Sequence, residues 1–191
     1  MRILVTGTSG GIGEAVKTAA SARGWDVVEL NRADFASGQR LLPSTGDGAA
    51  KLDALVFCTG TCPVRPVALT SDELFDETVR VNAGFFLRVM REVVAERLYA
   101  PAGMKVVAVS SVSASEGWPG GAAYCASKGA LSALCRAMDA ELKAKKISVR
   151  AIEPRYVKTR MFEQCAGRMG VSADLAQAPE KLAEEILDEM R

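Results

Sequence analysis

The sequence predicts an α/β fold in which a doubly wound, mainly parallel sheet is flanked by helices, and three observations carry that prediction. Short aliphatic runs rich in β-branched residues alternate with longer segments whose apolar residues recur at a period near 3.6. A glycine-rich turn at 7–13 joins the first such run to the first helical segment. The chain of 191 residues, 49% hydrophobic and 25% charged, shows neither an internal repeat nor an interdomain linker, so residues 1–191 are expected to form one domain.

Each element has its own signal. Ile3, Leu4 and Val5 make a strand over 2–6 that Gly7 stops, and Ala15, Val16, Ala19 and Ala20 give helical spacing over 14–23. Gly24 ends that helix, and Val27 and Val28 mark a strand over 25–30, completing a right-handed βαβ unit. Between 31 and 51 the pattern dissolves into Gly, Ser, Pro, Asp and Ala, with only a turn or short helix around 39–42. Leu55, Val56 and Phe57 build a strand over 52–58. Ser71 starts a long helix running to about Arg97, with Leu74, Phe75, Val79, Phe86, Val89, Met90 and Val93 on its period. A strand over 105–109 leads into a Ser- and Gly-rich loop over 110–121. The helix over 122–145 carries Ala126, Ala130, Leu131, Leu134, Met138 and Leu142 on one face and feeds a strand over 148–152. Leu182, Ile186 and Leu187 define an amphipathic helix over 179–190.

Composition narrows the chemistry. With 24 basic and 23 acidic residues the chain has a formal net charge of +1, which leaves no overall excess to hold nucleic acid or an anionic membrane. No apolar run approaches the ~18 residues that would span a bilayer, and the expected location is the cytoplasm. Cys58, Cys62, Cys125, Cys135 and Cys165 lack paired metal-ligand spacing, so neither a disulfide framework nor a metal site is expected. The absence of histidine removes every His-dependent triad. Acid–base chemistry falls to carboxylate, lysine, tyrosine or cysteine.

The turn reads Thr6-Gly7-Thr8-Ser9-Gly10-Gly11-Ile12-Gly13, glycines meeting a helix amino terminus, which is a place for a phosphate. Gly7 allows the tight turn, Gly11 lets backbone approach a pyrophosphate, and Gly13 lets helix and strand pack closely. Gly7, Ser9, Gly11, Ile12 and Gly13 are therefore candidate dinucleotide-binding positions. The spacing lacks the Gly-Lys-Ser/Thr of a nucleotide triphosphatase. At the end of the second strand, where a carboxylate would take the ribose hydroxyls of NAD, stand Asn31 and Arg32. A guanidinium there makes charge-assisted bonds to a 2′-phosphate and favours NADP(H) over NAD(H).

Tyr124 and Lys128 lie four apart at the start of a helix and share one face. A nearby ammonium stabilises phenolate and is expected to lower the tyrosine's pKa toward working pH. Ser111 sits in the loop after the preceding strand, among the carboxyl-end loops where α/β sheets bind ligands. At this point the sequence resembles the short-chain dehydrogenase/reductase family. The resemblance rests on Thr6-Gly7-x-x-x-Gly11-Ile12-Gly13, Val81-Asn82, Val109-Ser110-Ser111, Tyr124-Cys125-Ala126-Ser127-Lys128 and Pro154, in family order and spacing.

That resemblance implies a Rossmann-like fold, shortened here at the third-strand region and the carboxyl end. It implies hydride transfer between a nicotinamide and a carbonyl or secondary alcohol, with Tyr124 exchanging the proton. Lys128 would lower the tyrosine's pKa and hold the nicotinamide ribose, Ser111 would orient the substrate oxygen, and Asn82 would fix a water in a proton relay. Asn82 also reads as an interior amide repairing a local backbone bend. Cys58-Thr59-Gly60 stand where the family has Asn-Ala-Gly beside the adenosine, and Asp34-Phe35 match its acidic-apolar pair near the adenine. Pro154-Arg155 replaces the family's Pro-Gly, so Arg155 either crowds the nicotinamide or binds an acidic substrate, while Val157 and Thr159 match contacts to carboxamide and diphosphate. Met161, Phe162 and Met169 line a pocket or form an apolar lid. A homodimer through the two long helices is implied, a tetramer less so. The alternative is a dinucleotide-binding sensor or scaffold with little or no activity.

Overall fold

The computed structural model describes residues 1–35, 40–42 and 51–190. In chain order the described elements are β1 (Arg2–Thr6), α1 (Gly11–Ala22), β2 (Asp26–Leu30), β3 (Ala54–Phe57), α2 (Asp72–Val79), α3 (Phe85–Ala95), β4 (Met104–Val109), α4 (Ala122–Leu142), β5 (Ile147–Ile152), α5 (Arg160–Met169) and α6 (Pro179–Asp188). The strands pair in the order β2-β1-β3-β4-β5, all parallel. From β1 the chain moves outward to β2 and then crosses back to β3 on the other side. The strand order thus reverses between β1 and β3, and the loops at their carboxyl ends diverge to leave a crevice.

Side chains alternate across each strand, which divides the interior in two. Leu4, Leu55, Phe57, Val106, Ala108 and Val149 face one way and pack with Phe86, Val89, Met90 and Val93 of α3 and Leu131 and Cys135 of α4. Ile3, Val5, Ala54, Val56, Val107 and Val109 face the other way, against Val16 and Ala20 of α1 and Leu182, Ala183, Ile186 and Leu187 of α6. Strands buried on both faces read as unbroken aliphatic runs. The sequence has this signature at 3–5 and 54–57.

Boundaries differ from the sequence reading in instructive places. Helix α1 begins at Gly11 rather than 14, because glycines carry little helix propensity although the chain has already turned. The helix expected over 71–97 is interrupted by a π-turn at Arg80–Gly84. Helix α5 forms where a covering segment was expected, capped by the Thr159 hydroxyl accepting from Phe162 N and ended by Gly170 at φ 66°. Residue 39 of the turn expected around 39–42 lies outside the described residues. Leu41 and Leu42 are buried, and their backbone N–H groups donate to the Glu92 carboxylate at 2.9 and 3.1 Å.

Phe86 is fully buried at the centre of the α3/α4 side and packs on Phe57 with ring centroids 5.3 Å apart. Phe86→Ala is expected to cost about 3–5 kcal/mol of unfolding free energy in urea titration, enough to distinguish a structural ring from a surface one.

Candidate active site

The crevice is built outward from the close contact of α1 with β1. Gly7 at φ 71° turns the chain, and a Cβ at Gly13 would stand 2.2 Å from the Gly7 carbonyl oxygen, so only glycine lets the helix start this near the strand. Helix α1 has no side-chain cap at Gly10. Its first N–H groups are therefore left for a ligand, as a phosphate cradle requires. A cavity of about 510 Å³ runs from Ser9, Gly10, Gly11, Ile12 and Arg32 past Cys58, Thr59 and Gly60 to Ser111, Tyr124 and Lys128, and is closed on the far side by Pro154, Val157 and Thr159. These residues come from the carboxyl ends of β1, β2, β3, β4 and β5 and from the start of α4.

On the reacting side, Lys128 is 5% exposed, and its Nζ donates to the Val109 carbonyl at 2.8 Å and lies 5.7 Å from the centre of the Tyr124 ring. Burial pushes the Lys128 amine down to about 8. Burial pushes the Tyr124 phenol up above its ordinary value, the Cys62 thiol adds to this, and the Ser111 hydroxyl donating toward the phenol oxygen opposes it. The expectation that Lys128 draws the phenol down is thus corrected. The amine spends its bond on the end of β4, and desolvation in a partly apolar cavity dominates the phenol. Ser111 Oγ also accepts from Ser113 N at 3.1 Å, and the Ser113 hydroxyl accepts from Trp118 Nε1 at 3.1 Å, which fixes the wall beside the tyrosine.

Asn82 sits inside the π-turn, fully buried. Its Oδ1 accepts from Thr61 N at 2.7 Å, and its Nδ2 donates to Thr61 O at 2.9 Å and Ser127 Oγ at 2.8 Å. The amide thus bonds the Thr61 backbone and Ser127 in place of the backbone of its own bend, and both its hydrogens are used. Thr6 Oγ1 accepts from the N–H groups of Cys58 and Thr59 at 3.0 and 3.2 Å, tying β1 to the end of β3. The Cys58 thiol, where the family carries asparagine, is pushed up to about 12 by burial.

The adenosine end differs from expectation. Phe35 is buried and stacks on Phe85 at 4.1 Å, and Asp34 Oδ2 accepts from Asn31 N at 2.6 Å, closing the turn after β2. Neither residue, nor Asn31, lines the cavity; both were expected beside the adenine, but Phe35 takes a core site in place of a surface one. Arg32 does line it, with Glu77 3.5 Å away. Sequence reading also passed over Glu29, whose carboxylate accepts from Thr8 Oγ1 at 2.5 Å and pairs with Lys17 at 2.9 Å. Its position before the last residue of β2 was the available signal. Further lining residues had no sequence signal of their own: Cys62 and Cys165, with the Cys165 thiol donating to the Cys62 carbonyl at 3.4 Å, and Glu116, Trp118 and Tyr156. Arg155 is held by Glu116 through bonds of 2.7 and 3.1 Å.

The fold and crevice define a dinucleotide-binding α/β protein, and comparison with known proteins narrows the class. A family profile described as enoyl-(acyl carrier protein) reductase matches residues 1–183. L-xylulose reductase of Bos taurus is 30% identical over 178 residues, covering 84% of this chain and 73% of that protein. The 3-oxoacyl-[acyl-carrier-protein] reductase FabG of Rickettsia felis is 28% identical over 187 residues, with coverages of 84% and 74%. Among solved structures, a 4-hydroxyisoleucine dehydrogenase complexed with NADH superposes with a TM-score of 0.82 at 22% identity, over 100% of this chain and 90% of that one. A 3-ketoacyl-(acyl-carrier-protein) reductase from Brucella melitensis complexed with NADH gives 0.79 at 23%, with the same coverages. The chain belongs to the short-chain dehydrogenase/reductases, a family of nicotinamide-dependent oxidoreductases. Among the described residues no helix is long and apolar enough to cross a membrane, and no cluster of three or more Cys, Asp or Glu side chains is placed to hold a metal.

The buried amine of Lys128 has a signature in stability. Between about pH 8 and its ordinary 10.5 the unfolded chain holds a proton that the folded chain has released, so this group makes stability rise with pH across that window. Cys58 and Cys135, pushed up to about 12, act in the opposite sense above about 9, so the comparison must be made against Lys128→Met. The stability of wild type relative to that variant is expected to improve by about 3 kcal/mol from pH 8 to 10.5, read by denaturant melts at each pH. A flat difference would show the amine to be solvated.

Proposed function

We propose that this chain is an NADP(H)-dependent reductase of small carbonyl compounds, with Tyr124 as the proton donor. The observation that carries the reading is the convergence of Ser111, Tyr124 and Lys128 on one end of a cavity whose other end is an uncapped, glycine-lined helix terminus. When bound there, the nicotinamide supplies and accepts hydride. The residues present fit it. Ser9, Gly10, Gly11 and Ile12 offer backbone at the diphosphate end, where Thr159 also lies, Arg32 offers a cation for a 2′-phosphate, and Pro154 and Val157 would hold the carboxamide side. Gly60 keeps backbone close to Lys128, since a Cβ there would lie 3.7 Å from its Nζ.

The chain's own part in the reaction follows from protonation states. Ser111 donates a hydrogen bond to the substrate oxygen and keeps it beside the phenol. A phenol pushed up by burial retains its proton at neutral pH, so it can serve as an acid toward the oxygen that becomes alkoxide-like. Lys128 would bind the nicotinamide ribose hydroxyls, and Asn82 acts as a positioning residue that fixes Thr61 below it. A homodimer fits the outward Phe75 and Leu87, 41% and 45% exposed, although most apolar residues of α3 face the sheet.

Tyr124→Phe is expected to lower carbonyl-dependent NADPH oxidation by ~10²–10⁴-fold, and unchanged turnover would end this mechanism. Arg32→Ala is expected to weaken NADPH binding by about 10–100-fold while leaving NADH binding nearly unaltered, as measured by fluorescence titration. Equal loss for both nucleotides would place Arg32 in folding and not in cofactor choice.

A further inference from the structure

We infer that Glu116 and Arg155 form a charge-cancelling latch across the mouth of the substrate end, and that the pair selects uncharged carbonyl compounds against carboxylate-bearing ones. The inference rests on the reductase reading for the identity of the reacting group, but not for the selection itself. Sequence alone left Arg155 as either an obstruction or an anchor for an acidic substrate. The structure shows a third arrangement: its two terminal nitrogens, Nη1 and Nη2, donate to the two oxygens of Glu116 at 3.1 and 2.7 Å. A planar guanidinium bonded in this two-pronged way has used its Nη1/Nη2 edge, one of the two with which it grips a carboxylate.

The two residues are about half exposed, at 51% and 57% of the side chain, and both line the cavity. An exposed pair contributes only ~0–1 kcal/mol to folding, so stability does not explain the arrangement. Its effect is on ligands. Glu116 is tethered to the same wall as Arg155, because Val112 N donates to the Pro154 carbonyl at 3.3 Å and Glu116 N donates back to the Val112 carbonyl at 2.8 Å. A tethered carboxylate competes at an effective concentration of millimolar or more, which a free substrate carboxylate must exceed. Glu116 also repels an incoming anion.

Around the latch the lining is apolar or aromatic: Trp118, Tyr156, Met161, Phe162 and Val171. Two further exposed cations line the cavity: Arg32, at the glycine-loop end, and Arg160, which follows Thr159, whose methyl would lie 3.2 Å from a Cβ at Gly11. Lys128 is buried and bonded to Val109. Among the described residues, Arg155 is the cation set in this wall with the aromatic lining, and it is already matched by Glu116. The class that fits is a neutral ketone or aldehyde with an apolar body.

The test is equilibrium binding of acetophenone and 4-acetylbenzoate, which differ by one carboxylate, to the protein saturated with NADP⁺, followed by calorimetry. Wild type is expected to bind the neutral ketone a few-fold more tightly, because the carboxylate gains nothing from an occupied Arg155 and is repelled by Glu116. Glu116→Gln is expected to shift that ratio toward the carboxylate by about 10-fold, and adding Arg155→Met to Glu116→Gln to abolish the shift. Equal binding by wild type, a ratio unmoved in Glu116→Gln, a shift that survives Arg155→Met, or no binding of either ketone would each overturn the inference. Acetophenone-dependent NADPH oxidation, measured in parallel, separates the two proposals. Its absence with selective binding intact would strike the reductase reading alone.

Discussion

Closeness between one helix and one strand sets the geometry of everything else in this protein. Helix α1 starts so near β1 that the space a methyl group would need at residue 13 is filled by the carbonyl of Gly7. That proximity places uncapped amide groups at the crevice floor, and it holds only if the loop after β3 keeps its distance. A Cβ at Gly7 would stand 3.0 Å from Thr59 N and 3.1 Å from the Cys58 carbonyl carbon, while the Thr6 hydroxyl takes the N–H groups of both residues. One buried hydroxyl thus spaces the two loops whose divergence opens the binding crevice.

The reacting end obeys a different economy. Lys128, Ser110, Ser127, Ser132 and Asn82 are all buried, and each is hydrogen-bonded, so polar groups are carried into the interior without orphaned donors. Their desolvation holds the amine low and the phenol high. A phenol in such surroundings keeps its proton at neutral pH. The shift that the sequence suggested would come from a neighbouring charge instead comes, with the opposite sign, from the absence of water.

Much of the framework was legible because it depends on local chemistry. Unbroken aliphatic runs announce strands covered on both faces, and Gly7, Gly11 and Gly13 announce a helix start that must be bare. Ser111, Tyr124 and Lys128 were readable because their types and spacing only make sense together. What escaped depends on contacts distant in sequence. Nothing near residue 35 says that Phe85, fifty positions on, will stack against it and draw Phe35 into the core. Nothing near Arg155 says that Glu116 will meet it. The π-turn at Arg80–Gly84 was invisible for a related reason: the buried amide within it, Asn82, bonds to the Thr61 backbone 21 positions away.

That last contact has a consequence for how freely this scaffold can be rewritten. Asn82 clasps Thr61 through main-chain atoms alone, accepting from its N–H and donating to its carbonyl. The clasp does not depend on which side chain residue 61 carries. The loop can therefore be relettered from that position outward, Cys62 included, while its anchorage stays put. A designer seeking new substrates inherits a hinge whose grip is indifferent to vocabulary.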